Sequence, residues 1–318
     1  NSNYAIGVGN ATDGLEISWM ALNLRQGDEV ICCSHTMLAT ASAIKLAGGI
    51  PIPVEIGYDN LIDPDAIENA ITSRTVGIMP TQLNGRTCDM ERIMQIANKY
   101  KLYVVEDAAQ ALGSKFKGKN AGTFGHSSAI SFFPAKVLGC FGDAGAILCQ
   151  DETIFDRAYQ LHDHGRDKDG NVKSWGRNSR LDNLQAAILN FNLKSYEKVI
   201  QRRREIATMY CSKLSILEEL KLPESPINNS DHFDVFQNYE LVAKRRDELQ
   251  KYLRECGIGT LIQWGGKAIH QWEHLGFNLR LPKSEAFFKE CIMIPMNMFI
   301  SNEDIDYICQ KIIEFYRK

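Results

Sequence analysis

From Thr12 to about Cys149 the chain alternates amphipathic segments with short runs of β-branched and apolar residues, and this alternation constrains the fold more than any other feature. Leu15, Trp19 and Leu22 lie on one helical face, and the strand-like run Glu29 to Cys33 follows them. Helices that alternate with short strands are typical of a mostly parallel sheet covered by helices. The sequence therefore predicts an α/β fold over this part of the chain.

Apolar periodicity and turn residues predict the individual elements. The predicted helices run from Leu38 to Ala47, Met90 to Tyr100, Glu152 to His162, Leu181 to Leu193, Glu197 to Leu214, Arg246 to Glu255 and Asn302 to Tyr316. The predicted strands run from Ile50 to Ile56, Val76 to Pro80, Leu102 to Val105 and Val235 to Val242, and a loop covers Pro223 to Ser230. We expect a large α/β domain over residues 1–194 and a smaller α+β domain over residues 195–318.

Composition excludes several classes of function. Charged residues make up 24% of the chain and nearly cancel to a formal net charge of −3, so no basic field attracts nucleic acid or an anionic membrane. No apolar stretch approaches the roughly 18 residues that span a bilayer. The 9 cysteines are scattered, form no C-x-x-C pair and predict reduced thiols in the cytoplasm. His162 and His164 lack an evident third ligand, so we expect no metal site.

An acidic pair, Glu106 and Asp107, follows the apolar residues Val104 and Val105 at the end of a predicted strand. Open α/β sheets bind their ligands at this end of their strands. The simpler interpretation is a helix cap, which is a common role for aspartate after a strand. The functional interpretation is an aspartate that keeps a pyridine nitrogen protonated, as pyridoxal phosphate (PLP) requires in order to accept electrons.

A lysine, Lys136, lies just past another apolar run, Ala129 to Phe133, and a glycine-rich segment from Gly139 to Gly145 follows it. Lysine in such a setting can lose its proton and form a Schiff base. Most lysines after strands are simply solvated, so this signal is weak when taken alone.

The segment Gly7 to Gly14 leads small and hydroxyl residues into a predicted helix. Free N–H groups and the positive end of the helix dipole make such a turn a phosphate site. Capping by Thr12 or Asp13 without any ligand is the commoner explanation of such a turn, so this signal is also weak when taken alone.

The order of these segments, followed by Asn178 to Ala187, resembles the DegT/DnrJ/EryC1/StrS family of sugar aminotransferases, and the likeness extends from Tyr4 to the C-terminal helix. The resemblance implies the aspartate aminotransferase-like fold (fold type I of PLP enzymes) and a homodimer with shared active sites. It also implies transfer of an amino group from an amino acid, glutamate in the family, to the keto carbon of a nucleotide-linked keto-deoxysugar.

Residue roles follow from the same resemblance. Lys136 would bind PLP as a Schiff base and move protons, Asp107 would pair with the pyridine nitrogen, and Gln110 would contact the ring hydroxyl. The phosphate would lie against the backbone of Ala11 and Thr12, the Ser131 hydroxyl, and Asn178 of the other subunit.

Three features depart from the family pattern. Met37 stands where an aromatic residue is usual, which would exchange ring stacking on PLP for a thioether contact. Gln82 and Asn84 stand where histidine and tyrosine are frequent, which affects the side of the site that faces the sugar. Family chains usually begin some tens of residues earlier, so we expect that this sequence is trimmed or incomplete at its N-terminus.

Substrate contacts and alternative functions complete the prediction. Arg180, with Arg177, could hold a donor carboxylate by bidentate pairing, or it could form a salt bridge at a helix start. His270 corresponds to a family histidine near the substrate, or it is an ordinary surface histidine. Alternative functions are an aminotransferase for a cyclitol or sugar-phosphate ketone and a non-catalytic regulatory homologue. The related dehydratases replace the lysine with histidine, which Lys136 disfavours.

Overall fold

The computed structural model describes residues 2–227 and 231–317, so Asn228 to Ser230 of the predicted loop lie outside the described residues. Its strands are β1 (Tyr4–Val8), β2 (Glu29–Cys33), β3 (Ile50–Val54), β4 (Thr75–Met79), β5 (Tyr103–Asp107), β6 (Lys115–Phe116), β7 (Lys119–Asn120), β8 (Ser127–Ser131), β9 (Gly145–Cys149), β10 (Leu220–Lys221), β11 (His232–Phe233), β12 (Tyr239–Ala243) and β13 (Cys291–Ile294). Its helices are α1 (Ala11–Ala21), α2 (Leu38–Leu46), α3 (Pro64–Asn69), α4 (Met90–Tyr100), α5 (Glu152–His162), α6 (Asn183–Leu193), α7 (Tyr196–Leu214), α8 (Arg246–Glu255), α9 (Pro282–Glu290) and α10 (Asn302–Arg317). Short 3₁₀ turns cover Leu83–Gly85, Gln263–Gly266, Ile269–Gln271 and Glu273–Leu275.

Seven strands form the main sheet in the order β1-β9-β8-β5-β4-β2-β3. Neighbouring strands from β8 through β5, β4 and β2 to β3 are parallel, and β9 runs antiparallel to both β8 and β1. Strands β2 and β8 are buried along their whole length because helices cover the sheet. The predicted α/β fold with a mostly parallel sheet is confirmed.

Helix α1 packs across the sheet through a large aromatic side chain. Trp19 is fully buried, and its ring lies over Gly77 of β4, where an added Cβ would come within 2.4 Å of the ring. Only glycine admits the indole at this position because any larger side chain would overlap it. The close packing of α1 sets the position of its N-terminus at the edge of the sheet.

A second sheet, in the order β10-β12-β13, packs with α7, α8 and α10 around its own apolar cluster. Tyr210, Tyr239, Leu249 and Ile305 are all fully buried in this cluster. We call these elements the small-sheet unit. A third sheet, β11-β6-β7, is short and lies near the surface.

The predicted strands Ile50 to Ile56 and Val76 to Pro80 agree with β3 and β4 to within two residues at each end, and the bounds of the other two differ in ways that affect the site. The predicted strand Val235 to Val242 begins only at Tyr239, because Val235 donates its N–H to Gly85 at 2.9 Å and Phe236 has a left-handed backbone with φ 51°. The predicted strand Leu102 to Val105 instead runs from Tyr103 to Asp107, which places the acidic pair in its last two positions.

None of the helices described in residues 2–227 and 231–317 combines the length and the apolar character needed to cross a membrane.

Candidate active site

The site lies at the carboxyl edge of the main sheet, where β5 ends at Asp107 and the parallel strand β8 ends at Ser131. Because parallel strands deliver their C-terminal residues to the same edge, two residues that are distant in sequence become neighbours there. Lys136 follows β8 in a turn in which its N–H donates to the Phe133 carbonyl at 2.8 Å.

Asp107 is 3% exposed and accepts two hydrogen bonds through its carboxylate. The Thr40 hydroxyl donates to Oδ2 at 2.6 Å, and the Ala109 N–H donates to Oδ1 at 3.2 Å. The Thr40 hydroxyl also contacts Thr36, which in turn contacts Thr81, at 2.6 and 2.8 Å. A buried chain of hydroxyl groups therefore supports one side of the carboxylate.

Asp107 and Lys136 influence each other electrostatically. Burial raises the pKa of the Asp107 carboxyl, and the hydrogen bonds from Thr40 and Ala109 and the charge of Lys136 act against this rise. Burial lowers the pKa of the Lys136 ammonium, and the charge of Asp107 opposes the change. Lys136 thus loses its proton at a lower pH than a solvated lysine does, which makes the amine available as a nucleophile.

The first turn of α1 lies beside the end of β8. The Asn10 side chain caps this helix by accepting from the N–H of Asp13 at 2.8 Å, and the earlier N–H groups at Ala11 and Thr12 have no acceptor within the helix. Gly145 of β9 pairs with Ser131. An added Cβ on Gly145 would come within 2.8 Å of the Ala11 nitrogen, so glycine permits this close approach.

Gln110 and Met37 lie on loops near the same edge. The Gln110 Oε1 atom accepts from the backbone N–H of Asn84 at 2.9 Å. Met37 is 48% exposed at the N-cap of α2, and its sulfur accepts from the Ala39 N–H at 2.9 Å. The Met37 side chain is thus partly turned toward its own helix.

Asn178 is exposed, although the residues on both sides of it are anchored. Arg177 forms an ion pair with the buried Glu16 of α1. The Ser179 hydroxyl donates to Asp13 Oδ2 at 2.7 Å. The segment is therefore held against α1 while the Asn178 side chain faces outward.

Arg180 and His270 lie in different surroundings. Arg180 has a side chain that is 53% exposed, with its guanidinium 3.5 Å from Asp163 Oδ1, so the salt bridge considered from the sequence is present. His270 is 5% exposed and is therefore not a surface histidine; its Nε2 lies 3.3 Å from Glu285 Oε1.

Gln82 belongs to the core and does not face a sugar site. Its side chain donates to Glu106 Oε2 at 2.8 Å and accepts from the Cys88 N–H at 2.6 Å. Asn84 is different, because its side chain donates to Glu240 Oε2 at 2.7 Å in a polar cluster next to Gln110.

Sequence reasoning missed Thr40, Glu240 and the structural role of Glu106. The spacing of Thr36 and Thr40 by one helical turn could have indicated a hydroxyl pair. Glu106 accepts N–H bonds from Gly122, Phe124 and Gly125 at 2.6–2.8 Å and so fixes the loop beyond β7. No local pattern indicates Glu240.

The donor set fits PLP. A buried carboxylate suits a pyridinium nitrogen, an amine with a lowered pKa suits a Schiff base, and a helix N-terminus beside a serine hydroxyl suits a phosphate. The described part of the chain contains no group of three or more His, Cys, Asp or Glu side chains arranged to hold a metal ion.

Comparison with known proteins agrees with this site. The model of the DegT/DnrJ/EryC1/StrS aminotransferase family matches residues 1–313. The chain belongs to this family. It is 38% identical to the dTDP-3-amino-3,6-dideoxy-alpha-D-galactopyranose transaminase of Aneurinibacillus thermoaerophilus, over 97% of this chain and 85% of that protein. It is 37% identical to a pleiotropic regulatory protein of Geobacillus stearothermophilus, over 99% of this chain and 85% of that protein.

Solved structures support the same assignment. The crystal structure of S. venezuelae DesV in complex with a ketimine intermediate superposes with a TM-score of 0.95 at 32% identity, and the match covers 100% of this chain and 86% of that one. The predicted family, fold type I architecture, PLP dependence and aminotransferase class are confirmed. The roles predicted for individual residues stay predictions.

Proposed function

We propose that this PLP-dependent aminotransferase moves an amino group from glutamate to the keto carbon of a nucleotide-linked keto-deoxysugar. The proposal depends on the observation that Asp107, Lys136 and the N-terminus of α1 lie at one edge of the main sheet. The substrate class is supported by the likeness, over nearly the whole chain, to a transaminase named for a dTDP-linked amino sugar. Bound PLP supplies an electron sink for this chemistry.

Lys136 is proposed to hold the cofactor and to carry the proton in both half-reactions. Burial lowers the pKa of its ammonium, so the free amine is more populated near neutral pH than for a solvated lysine. The Lys136 N–H donates to the Phe133 carbonyl at 2.8 Å and closes a turn, which fixes the position of the Lys136 backbone. An amine in a fixed position can return to the same carbon atom to give or take a proton.

Asp107 is proposed to keep a positive charge on the pyridine nitrogen. The bonds from Thr40 and Ala109 fix the orientation of its carboxylate. Since an ion pair in a buried site is stronger than the same pair in water, the ring nitrogen and Asp107 would each favour the charged form of the other. Gln110 would contact the ring hydroxyl, and the Met37 thioether would face the ring.

The phosphate is proposed to bind at the first turn of α1. Backbone N–H groups of Ala11 and Thr12 and the hydroxyl of Ser131 would donate to it, and the helix dipole would favour its charge. The contact between Gly145 and Ala11 brings these donors together.

Two further side chains are proposed to contact substrate. The ion pair that Arg180 forms with Asp163 is exposed, so it contributes little and leaves the guanidinium available for a carboxylate. The buried Nδ1 of His270 has no hydrogen-bond partner among the described residues, and a substrate hydroxyl could supply one.

A substrate screen tests the function. Purified protein loaded with PLP is incubated with glutamate and a set of nucleotide-linked 3-keto and 4-keto sugars, and products are identified by mass spectrometry and NMR. Cyclitol and sugar-phosphate ketones are included as the competing substrates, and Lys136→Ala is the matched control. Amination of a cyclitol or sugar phosphate alone would contradict the proposed substrate class, and the absence of any aminated product would favour a regulatory role.

We also propose a homodimer whose two chains share each active site. The anchoring of Arg177 and Ser179 leaves the exposed Asn178 side chain facing outward, where it can reach a neighbouring chain. Large apolar side chains nearby in the sequence are exposed by 70% or more, namely Phe141, Val172, Trp175, Leu184 and Phe191. A contiguous exposed apolar surface is typical of one that another subunit covers, and we propose that these side chains form part of such a surface.

Hybrid dimers test the shared site. Subunits carrying Lys136→Ala are mixed with subunits carrying Asn178→Ala under conditions in which labelled subunits demonstrably exchange. If Asn178 completes the neighbour's phosphate site, one of the two sites in each hybrid carries neither change, and activity rises above that of both parents. If Asn178→Ala is impaired and no activity returns on mixing, Asn178 acts within its own chain.

The division of the chain and its location are proposals as well. We place the domain boundary between residues 194 and 195, in the short link between α6 and α7. We place the protein in the cytoplasm, because all nine cysteines lie in the described ranges as free thiols and eight of them are buried. Limited proteolysis that leaves a stable fragment ending far from residue 194 would contradict this boundary.

A further inference from the structure

A cluster of amide side chains lies directly behind Gln110, centred on Asn84. Asn84 has a left-handed backbone with φ 55°, and this conformation directs its N–H to Gln110 Oε1 at 2.9 Å. The Asn84 Nδ2 atom donates to Glu240 Oε2 at 2.7 Å. Glu240 belongs to β12, so this contact joins the small-sheet unit to the loop after β4.

Two groups determine which atoms donate and which accept in this cluster, because neither of them can exchange its donor or acceptor role. An amide side chain can in general face either way, but the backbone N–H of Asn84 only donates and the carboxylate oxygen of Glu240 accepts. The Asn84 Oδ1 atom therefore accepts, and it does so from Asn238 Nδ2 at 2.8 Å and Gln263 Nε2 at 2.9 Å. Gln110 must present its carbonyl oxygen to Asn84, which leaves its NH₂ group as the end that can reach a ligand.

His35 lies beside the carboxylate that accepts from Asn84. Its Nδ1 atom lies 2.9 Å from the Asn60 carbonyl oxygen, which can only accept, so Nδ1 is the donor of that hydrogen bond. Its Nε2 atom lies 3.2 Å from Glu240 Oε2 without forming a hydrogen bond among the described residues. The Oε2 atom of Glu240 accepts from Asn84 Nδ2 instead.

Packing alone does not hold the Asn84 side chain in place. A cavity of about 90 Å³ borders it, together with His35 and Glu240, on one side. Three side-chain hydrogen bonds, to Glu240, Asn238 and Gln263, hold Asn84 instead. Loss of these bonds would loosen the N–H that orients Gln110.

We propose that Asn84 and Glu240 are positioning residues that hold Gln110 with its NH₂ group toward the cofactor ring hydroxyl. The inference rests on the proposed function, since it requires PLP in this site. An N–H donor to the ring oxygen favours the ionised form of that oxygen. The nitrogen that links Lys136 to the cofactor then holds its proton less tightly, so the pH midpoint of the visible absorbance change is lowered.

The test is a pH titration of the visible absorbance of the PLP-loaded protein, which needs no substrate. Gln110→Ala is expected to raise the midpoint by about one pH unit, as expected for the loss of one hydrogen bond to a charged group. Asn84→Gly keeps the backbone N–H and tolerates the left-handed conformation while removing all three side-chain bonds, and it is expected to raise the midpoint by a smaller amount. Glu240→Ala, which removes the acceptor of the Asn84 Nδ2 hydrogen bond, is expected to act in the same direction.

A double-mutant cycle decides whether these residues act through Gln110. In the Gln110→Ala background, Asn84→Gly and Glu240→Ala should add no further shift. The matched control is Asp234→Asn, which removes another buried carboxylate beside the same cavity, paired with Arg86 at 2.7 Å, and should leave the midpoint unchanged.

Two results would overturn the inference: an unchanged midpoint in folded, PLP-loaded Asn84→Gly and Glu240→Ala, or shifts of equal size with and without Gln110. A wild-type protein that binds no PLP would instead refute the proposed function, so the two failures are distinct.

Discussion

Replacing Asp107 with asparagine removes one charge from the sheet edge and leaves the shape of the side chain nearly unchanged. The asparagine oxygen can accept from the Ala109 N–H, as Oδ1 does at 3.2 Å in the wild type. Its NH₂ group would then face the Thr40 hydroxyl, which must accept where it donated before. Hydroxyl groups can rotate, and the chain from Thr40 through Thr36 to Thr81 allows each to reverse its direction.

The effect on stability should therefore be small. Reversing a hydrogen bond without leaving a buried group unpaired changes the free energy of unfolding by at most about 1 kcal/mol, and removing a buried charge acts in the favourable direction. Burial raises the pKa of Asp107, so the folded state binds its proton more tightly than the unfolded state does. The stability that this group contributes to the cofactor-free wild type is lost as pH rises from the usual carboxyl pKa through the raised one, and Asp107→Asn should lack this decline.

The effect on turnover should be large. A neutral amide cannot hold a positive charge on the pyridine nitrogen, and losing one such electrostatic contribution to the transition state lowers the rate by about 100- to 1,000-fold. The assay follows the half-reaction with glutamate by stopped-flow absorbance, with bound PLP measured on the same sample and Asp234→Asn as the control carboxylate. Near-normal turnover in Asp107→Asn would show that this residue has only a structural role, and a severe loss of stability would refute the argument from the hydroxyl chain.

Three further predictions follow from the same contacts. Lys136→Ala should abolish the visible band of the PLP-loaded protein, and a borohydride-reduced digest with the adduct on another lysine would show the assignment to be wrong. Glu106→Gln should lower the free energy of unfolding by about 3 kcal/mol in urea titrations, because an NH₂ group would replace an oxygen that accepts two hydrogen bonds. A loss below about 1 kcal/mol would mean that other contacts stabilise the loop beyond β7. Gly145→Ala should weaken PLP binding by about tenfold, because the added Cβ would come within 2.8 Å of the Ala11 nitrogen. The control is Gly259→Ala, whose added Cβ would lie in open space and should leave the affinity for PLP unchanged.

Local sequence signals were sufficient to predict the bounds of a helix where residues close to it in the sequence determine where it begins and ends. Helices α4, α5 and α8 have the bounds that the sequence predicts. Asp89 and Asp151 cap the first two of these by accepting an N–H bond within three residues, and such caps can be recognised in the sequence. The predicted start of a strand at Val235 was wrong, because the Val235 N–H donates to the carbonyl oxygen of Gly85, which is distant in the sequence.

By itself the sequence determined the alternation of helices and strands, the family motifs and the residue types available for PLP chemistry. These features depend on periodicity and on short spacings, which can be read along the chain. Only the tertiary structure decided which hydrogen-bond partner each polar group has. Asp107 and Thr40 are hydrogen-bonded although they are 67 positions apart in the sequence, and Asn84 and Glu240 are hydrogen-bonded although they are 156 positions apart. Such contacts arise from the path of the whole chain, so no local pattern predicts that Gln82 lies in the core while Asn84 holds Gln110.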